Sequence, residues 1–207
     1  MKLYTFFSPS HKIFFDKYLE PSLEGSKIEI VTKEISQDCK TGQFMENGWN
    51  LSMRKKLEYI IDTIKENKNQ YFIHSDCDVC FFSSPLEELL QSISGYDIAF
   101  QNNKDKSQPL CAGFFICRAN EKTLNFFQDC LTKINNFQHD QHAINELRYN
   151  IRYKILSDRF FCLGEDWNED VEIRLPKDCI MFHANWAVGI ERKIRLMECA
   201  IKSKNVK

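Results

Sequence analysis

Asp76 and Asp78 stand one residue apart in the stretch YFIHSDCDVCFF (71–82), where one apolar run ends and another begins. Ionised carboxylates avoid a protein interior unless something pairs them. Two of them this close resist joint ionisation unless a cation intervenes. The pair is therefore either an exposed turn or a set of hard oxygen ligands for Mn2+ or Mg2+, with a phosphate completing the shell. Asp-x-Asp is common by chance, but no glycine-bearing turn separates the two apolar runs, and that context favours the cation. Cys77 and Cys80 also form a Cys-x-x-Cys pattern. A structural zinc would need a second closely spaced pair, and Cys111 and Cys117 are too far apart to supply it. A thioredoxin-like pair would open a helix, whereas this one straddles the end of a strand, so both cysteines are read as packing residues. A phosphatase of the Asp-x-Asp-x-Thr type fails at its fifth position, which is Cys80.

The elements that must position these residues follow from hydrophobic periodicity. KLYTFF (2–7), KIEIVTKEI (27–35), YFIHSD (71–76), YDIAFQ (96–101) and LCAGFFICRA (110–119) read as strands, with shorter ones in YKILSDRFFCLG (153–164) and before His183. HKIFFDKYLEPSL (11–23) has helical spacing, with Ser10 as a candidate cap. A second helix, through LSMRKKLEYIIDTIKEN, carries Leu57, Ile60, Ile61 and Ile64 as its buried stripe, with Asn50 or Ser52 as cap. Ser84 before Pro85 signals a third helix. NEKTLNFFQDCLTKI and HDQHAINELRYN begin two more, and GIERKIRLMECAIKSK is a basic terminal helix. Strands flanked by helices predict an α/β fold with a mostly parallel mixed central sheet. Ligands of such sheets bind at the carboxyl ends of strands, near a switch in strand order. Ser8, Asp76, Asp78 and His183 all fall at such ends.

Composition narrows the classes. The chain has 207 residues, a formal net charge of −1 and 43% hydrophobic residues, 17 of its residues being Phe. That is enough for a sizeable core in one domain, and near-neutrality gives no overall bias toward nucleic acid or anionic lipid. Nine scattered cysteines and no signal-like start suggest free thiols in a reducing compartment. No run approaches the ~20 apolar residues of a membrane span. The expectation is a soluble, cytoplasmic protein, with peripheral membrane contact open to its basic C-terminus.

Taken in order, the DCD motif after an apolar strand, AGFFICRA about thirty residues later, HDQHAIN, and HANWAVGIERK resemble one known family. It is the nucleotide-diphospho-sugar transferases of the GT-A type with an Asp-x-Asp motif. The similarity is to the branch that includes plant cell-wall arabinosyl- and xylosyltransferases and stand-alone viral or microbial relatives. It covers roughly residues 1–196, most firmly 71–193. No anchor like that of Golgi members is expected, and neither is a secretory role. The resemblance implies one Rossmann-like GT-A domain over 1–207. Residues 1–100 would form the nucleotide-binding half, 101–196 the sugar and acceptor half, and 197–207 a basic tail.

The resemblance also implies roles. Asp76, Asp78 and His183 match the metal ligands, Asp76 also meeting the donor. Imidazole suits Mn2+ better than Mg2+. Gly189 and Lys193 match the glycine and lysine that meet the diphosphate. Asp140 and Gln141 match the pair at the sugar end, with catalytic roles. Gly113 matches a glycine whose missing side chain leaves room for the sugar. Asn185 orients His183 or a substrate hydroxyl. Phe6, Phe7 and Ser8 lie where relatives hold the nucleoside, and Lys55, beside Arg54, is a phosphate candidate. Bland alternatives stand beside these: a core histidine at 183, a charge on a basic helix at Lys193, a helix cap at Asp140, a strand bulge at Gly113, and core packing for any one Phe.

The implied activity is metal-dependent sugar transfer from a nucleotide diphosphate donor, UDP-linked, to an acceptor hydroxyl with retention. The acceptor is a glycan, a protein or a small molecule, approaching from loops 41–50 and 102–109, and Trp49 and Trp167 are candidates to stack on it. The alternative is a non-catalytic nucleotide-sugar-binding relative.

Overall fold

A computed structural model describes residues 1–40, 46–136, 139–164 and 172–205. Residues 41–45 and the whole EDWNED segment (165–170), Trp167 included, lie outside these residues. Nine strands are described: β1 (Lys2–Phe7), β2 (Glu29–Glu34), β3 (Tyr71–Asp76), β4 (Val79–Phe81), β5 (Ile98–Asn102), β6 (Leu110–Arg118), β7 (Tyr153–Ile155), β8 (Phe160–Cys162) and β9 (Met181–His183). Six form the main sheet in the order β2-β1-β3-β6-β5-β7. β1 pairs in parallel with β2 and β3, and β5 with β7; β6 runs antiparallel to both β3 and β5. This is the mixed α/β sheet expected from the sequence. The chain leaves β1 for one side and then crosses to the other, so the order switches at the carboxyl ends of β1 and β3, where a crevice opens.

The central strands read as continuous apolar runs because both of their faces are covered. Along β6, Phe114 and Ile116 enter one core, while Ala112, Phe115 and Cys117 enter the other. β3 divides likewise, with Ile73 on one side and Phe72 on the other. Eight phenylalanines are under 2% exposed. Each contributes about 1.5–3 kcal/mol of burial, which accounts for nearly half of the 17 phenylalanines without invoking ligands.

The helices are α1 (Lys12–Phe14), α2 (Glu20–Ser22), α3 (Trp49–Glu66), α4 (Leu86–Ile93), α5 (Glu121–Lys133), α6 (Asp140–Leu147) and α7 (Ile190–Asn205). The first expected helix is irregular. It begins as a 3-10 turn at Pro9–His11 and widens into a π segment at Phe15–Leu19 between α1 and α2. Ser8, not Ser10, stands before its first turn, without a side-chain cap. α3 starts earlier than expected, behind Gly48, whose φ of +90° suits glycine alone; neither Asn50 nor Ser52 caps it. At α4, Pro85 itself is the cap position and Ser84 lies outside. Asn120 and Thr123 form a capping box at α5, Asn120 accepting from the Thr123 N–H and Thr123 Oγ1 from the Asn120 N–H.

β4, β9 and β8 make a second, three-stranded sheet, which carries the chain from the crevice to α7. α7 runs unbroken to Asn205, with Leu196, Met197 and Ala200 buried in the first core. None of the nine cysteines, all among the described residues, is in a disulfide, and eight are buried. Burial pushes the Cys80 thiol up to about 12, in keeping with packing rather than redox chemistry.

Candidate active site

Asp76 closes β3, and Asp78 lies two residues on, in the turn into β4. β4 pairs with β9 so that Val79 stands opposite His183, and the Ala184 N–H donates to the Asp78 carbonyl at 3.0 Å. That register brings a side chain from a hundred residues away onto the aspartates. One donor atom each from Asp76, Asp78 and His183 lies within 4.8 Å of the others. His183 is set by its far nitrogen: Nδ1 donates to Gln101 Oε1 at 2.8 Å, and Nε2 faces Asp78 Oδ1 at 3.4 Å without a well-directed hydrogen bond. Burial lowers the imidazole pKa, but the Asp78 carboxylate outweighs it and pushes it up to about 10. Two carboxylates and a ring nitrogen in one buried pocket are a donor set that would suit a hard or borderline divalent ion, whose binding would displace the proton that Asp78 holds on the imidazole.

Two lysines balance the acids. Lys56 on α3 is 3% exposed and lies 2.8 Å from Asp76 Oδ1 and 3.3 Å from Asp140 Oδ2. Burial opposes its charge, yet the two carboxylates hold its pKa above the ordinary lysine value. Burial would raise the Asp76 and Asp140 carboxyls; the Lys56 ammonium holds both below the usual range. Lys193 on α7 hydrogen-bonds Asp78 Oδ2, and that ammonium with His183 keeps Asp78 ionised against its burial.

Gly113 on β6 lies under this cluster. A Cβ there would sit 2.5 Å from Asp76 Oδ2 and 2.5 Å from His183 Cε1. The space left by its missing side chain is thus taken up by two of the candidate ligands. The start of α6, with Asp140 and Gln141, is tied to the same strand. Asp140 and Gln141 open α6, and Asn145 one turn later accepts the Leu110 N–H at 3.0 Å and donates to the Leu110 carbonyl at 2.8 Å. Gln141 Oε1 accepts the Ala112 N–H at 3.2 Å. The cap of α6 is His139, whose Nδ1 accepts from the His142 N–H; Asp140 is the first helical residue, not the cap.

A cleft of about 380 Å³ spans these groups. Phe6, Phe7, Ser8, Asp76, Asp78, Gly113, Asp140, Gln141, His183, Asn185, Gly189 and Lys193 all line it. Gly189 has φ +94° with open space around it, so its requirement for glycine comes from the backbone and not from a neighbour. Lys55 is not among the lining residues: its ammonium is held by Asp38 at 2.6 Å and by Ser36. The neighbouring Lys56, and not Lys55, lines the cleft. Sequence reasoning missed Lys56, though a signal was present: at i−4 from Ile60 it continues the buried stripe of α3, and a lysine on such a stripe needs a buried counter-charge. Gln101, which orients His183, and His11, which lines the cleft beside Ser8, carried no motif.

Residues 15–197 match the family model described as nucleotide-diphospho-sugar transferase. The chain belongs to that family, and its architecture is that of a GT-A glycosyltransferase. It is similar to UDP-galactose:fucoside alpha-3-galactosyltransferase of Dictyostelium discoideum, at 23% identity over 176 residues covering 70% of this chain and 27% of that protein. The chain thus spans about a quarter of that relative's length. Among solved structures, a glycosyltransferase involved in glycosylation of the major capsid of PBCV-1 superposes with a TM-score of 0.63 at 15% identity, covering 95% of this chain and 98% of that one. The glycosyltransferase GlyE of Streptococcus pneumoniae TIGR4 gives 0.63 at 13% identity, covering 100% and 61%. At those identities the structural likeness speaks to the fold.

Proposed function

We propose that this chain transfers a sugar from a UDP-linked donor to an acceptor hydroxyl with retention, with Mn2+ or Mg2+ held by Asp76, Asp78 and His183. The observation that carries this reading is the meeting of those three side chains in one cleft with Lys193 and with Asp140 and Gln141. When bound, the ion would offset the charge that builds on the departing diphosphate. Lys193, with the backbone at Gly189, meets the same charge from α7. Phe6, Phe7 and Ser8 hold the nucleoside at the end of β1. Asp140 and Asn185 fix the sugar hydroxyls, and the Gln141 amide oxygen lies beside the anomeric carbon, where positive charge develops. Lys56 keeps Asp76 and Asp140 ionised and at a fixed spacing. Holding the donor and acceptor in one cleft supplies much of the rate gain.

In this reading residues 1–100 contribute the nucleotide half of the site and 101–196 the sugar and acceptor half. Partners are a nucleotide sugar and a hydroxyl-bearing acceptor. No helix among the described residues is long and apolar enough to cross a membrane. The expected result of Asp78→Ala is loss of saturable Mn2+ binding in calorimetry and at least a hundredfold loss of turnover, with the circular dichroism spectrum retained. Normal manganese-stimulated turnover in that variant would refute the metal assignment. A chain that binds nucleotide sugars but never releases nucleotide diphosphate would instead be the non-catalytic relative.

A further inference from the structure

The floor of the cleft is charged and its rim is aromatic. Trp186, three residues past His183, is half-buried and lines the cleft; its Nε1–H donates to the Asn103 carbonyl at 2.9 Å. Asn103 is 1% exposed and closes its own loop, its N–H donating to the Pro109 carbonyl at 2.8 Å and its side chain to the Gln108 carbonyl at 2.9 Å. The indole is therefore fixed at its edge to a closed 103–109 loop. Asp105, whose carboxylate accepts from the Ser107 N–H and hydroxyl at 2.7 Å, and Gln108 bring polar side chains from the same loop to the cleft wall. Val188, next along the chain, is 47% exposed at the cleft wall. Trp49 also lines the cleft and is half-buried; it packs edge-on against His139 with ring centroids 5.7 Å apart, and His139 Nδ1 lies 3.8 Å from Asp140 Oδ1. Trp186 follows Asn185 in the chain and Trp49 packs on His139, the neighbour of Asp140; both indoles line the same cleft as Asn185 and Asp140.

From this arrangement we infer that Trp186 and Trp49, with Asp105 and Gln108, form an acceptor subsite for a pyranose ring. A pyranose has an apolar C–H face and a hydroxylated edge. A fixed indole offers flat contact area at little entropic cost, and a carboxylate and an amide beside it match the hydroxyls. An extended peptide would instead call for a free strand edge or apolar pockets at alternate positions, and in the loop 103–109 the Gln108 and Pro109 carbonyls are already taken by Asn103. The inference rests on the proposed function for the identity of the reacting hydroxyl, but not for the ring-binding itself.

Two measurements separate the inference from that reading. Tryptophan emission is titrated with methyl glycosides of galactose, glucose, fucose and xylose, and with a Ser/Thr/Tyr-containing peptide, without donor. Nucleotide diphosphate release from UDP-sugars with Mn2+ is then measured with the same probes. The expected result is a saturable emission change with at least one glycoside, the same glycoside raising release above the rate with water. Trp186→Ala should raise the KM for that glycoside about tenfold more than the KM for donor, with its melting temperature close to wild type, and Trp186→Phe should recover most of the loss. Release stimulated by the peptide alone, or no emission change with any glycoside, would overturn the subsite. Absence of donor binding, with the glycoside titration intact, would overturn the transferase reading and leave the subsite standing.

Discussion

At the scale of single residues, the site depends on side chains that are absent as much as on those present. Gly113 stands where a methyl group would collide with both Asp76 and His183. Gly113→Ala is expected to weaken Mn2+ binding at least tenfold by calorimetry while the fold persists, since a displaced ligand is lost to the ion before the strand is lost to the sheet. Unaltered Mn2+ affinity would mean the ligands can give way. Lys56 is the reverse case, a charge kept where burial opposes it. Lys56→Met leaves Asp76 and Asp140 facing each other without their shared cation. Breaking such a buried set costs roughly 3–5 kcal/mol, to be read from urea unfolding at pH 7. Adding Asp76→Asn should return part of it, and a double variant no better than the single one would show that the lysine matters through packing alone.

At the scale of elements, the same strand holds both ends of the cleft. β6 carries Gly113 beneath the candidate metal ligands, and through Leu110 and Ala112 it receives α6. Asn145 substitutes for a neighbouring strand by pairing with both backbone groups of Leu110. Asn145→Ala strands a buried donor and acceptor, costing about 2 kcal/mol, and frees the turn that bears Asp140 and Gln141. Turnover is expected to fall by more than donor affinity does, since in the proposed function this turn positions the sugar and not the nucleotide. Steady-state kinetics read beside the unfolding midpoint check this, and a loss confined to stability would mean that α6 is held by its apolar face.

At the scale of the whole molecule, Asp97 ties distant segments behind the sheet. Its carboxylate accepts from Arg152 Nε at 3.1 Å and from Asn120 Nδ2 at 3.4 Å, joining the start of β5 to the approach to β7 and the cap of α5. Burial would raise this carboxyl, but the bonds from Arg152 and Asn120 hold it below its ordinary value. A lowered folded-state pKa stabilises above the unfolded value, about 4, and that contribution is lost as pH falls through the folded value. Asp97→Asn should therefore lower the melting temperature at pH 7, with the gap to wild type closing below about pH 4. A gap independent of pH would assign the effect to hydrogen bonding and not to charge.

Much of this was legible in the linear chain, for reasons that differ by element. β1, β3 and β6 were readable because strands covered on both faces must be apolar throughout. The acids at 76 and 78 stood out because such runs exclude charge. The irregular helix at 9–22 and the starts of α3 and α4 were not, because a π segment, a left-handed Gly48 and a proline at the cap position are settled by how the helix meets its neighbours. Of the adjacent lysines, the sequence suggested 55, and only the packing of α3 on the sheet turns 56 inward and leaves 55 to Asp38. Composition and order of motifs alone determined the fold class and the kinds of atom available for chemistry. Which of those atoms meet was decided by the tertiary structure: the pairing of β4 with β9 and the gap at Gly113 join residues far apart in sequence, and a contact of that kind depends on strand register, which no local pattern encodes.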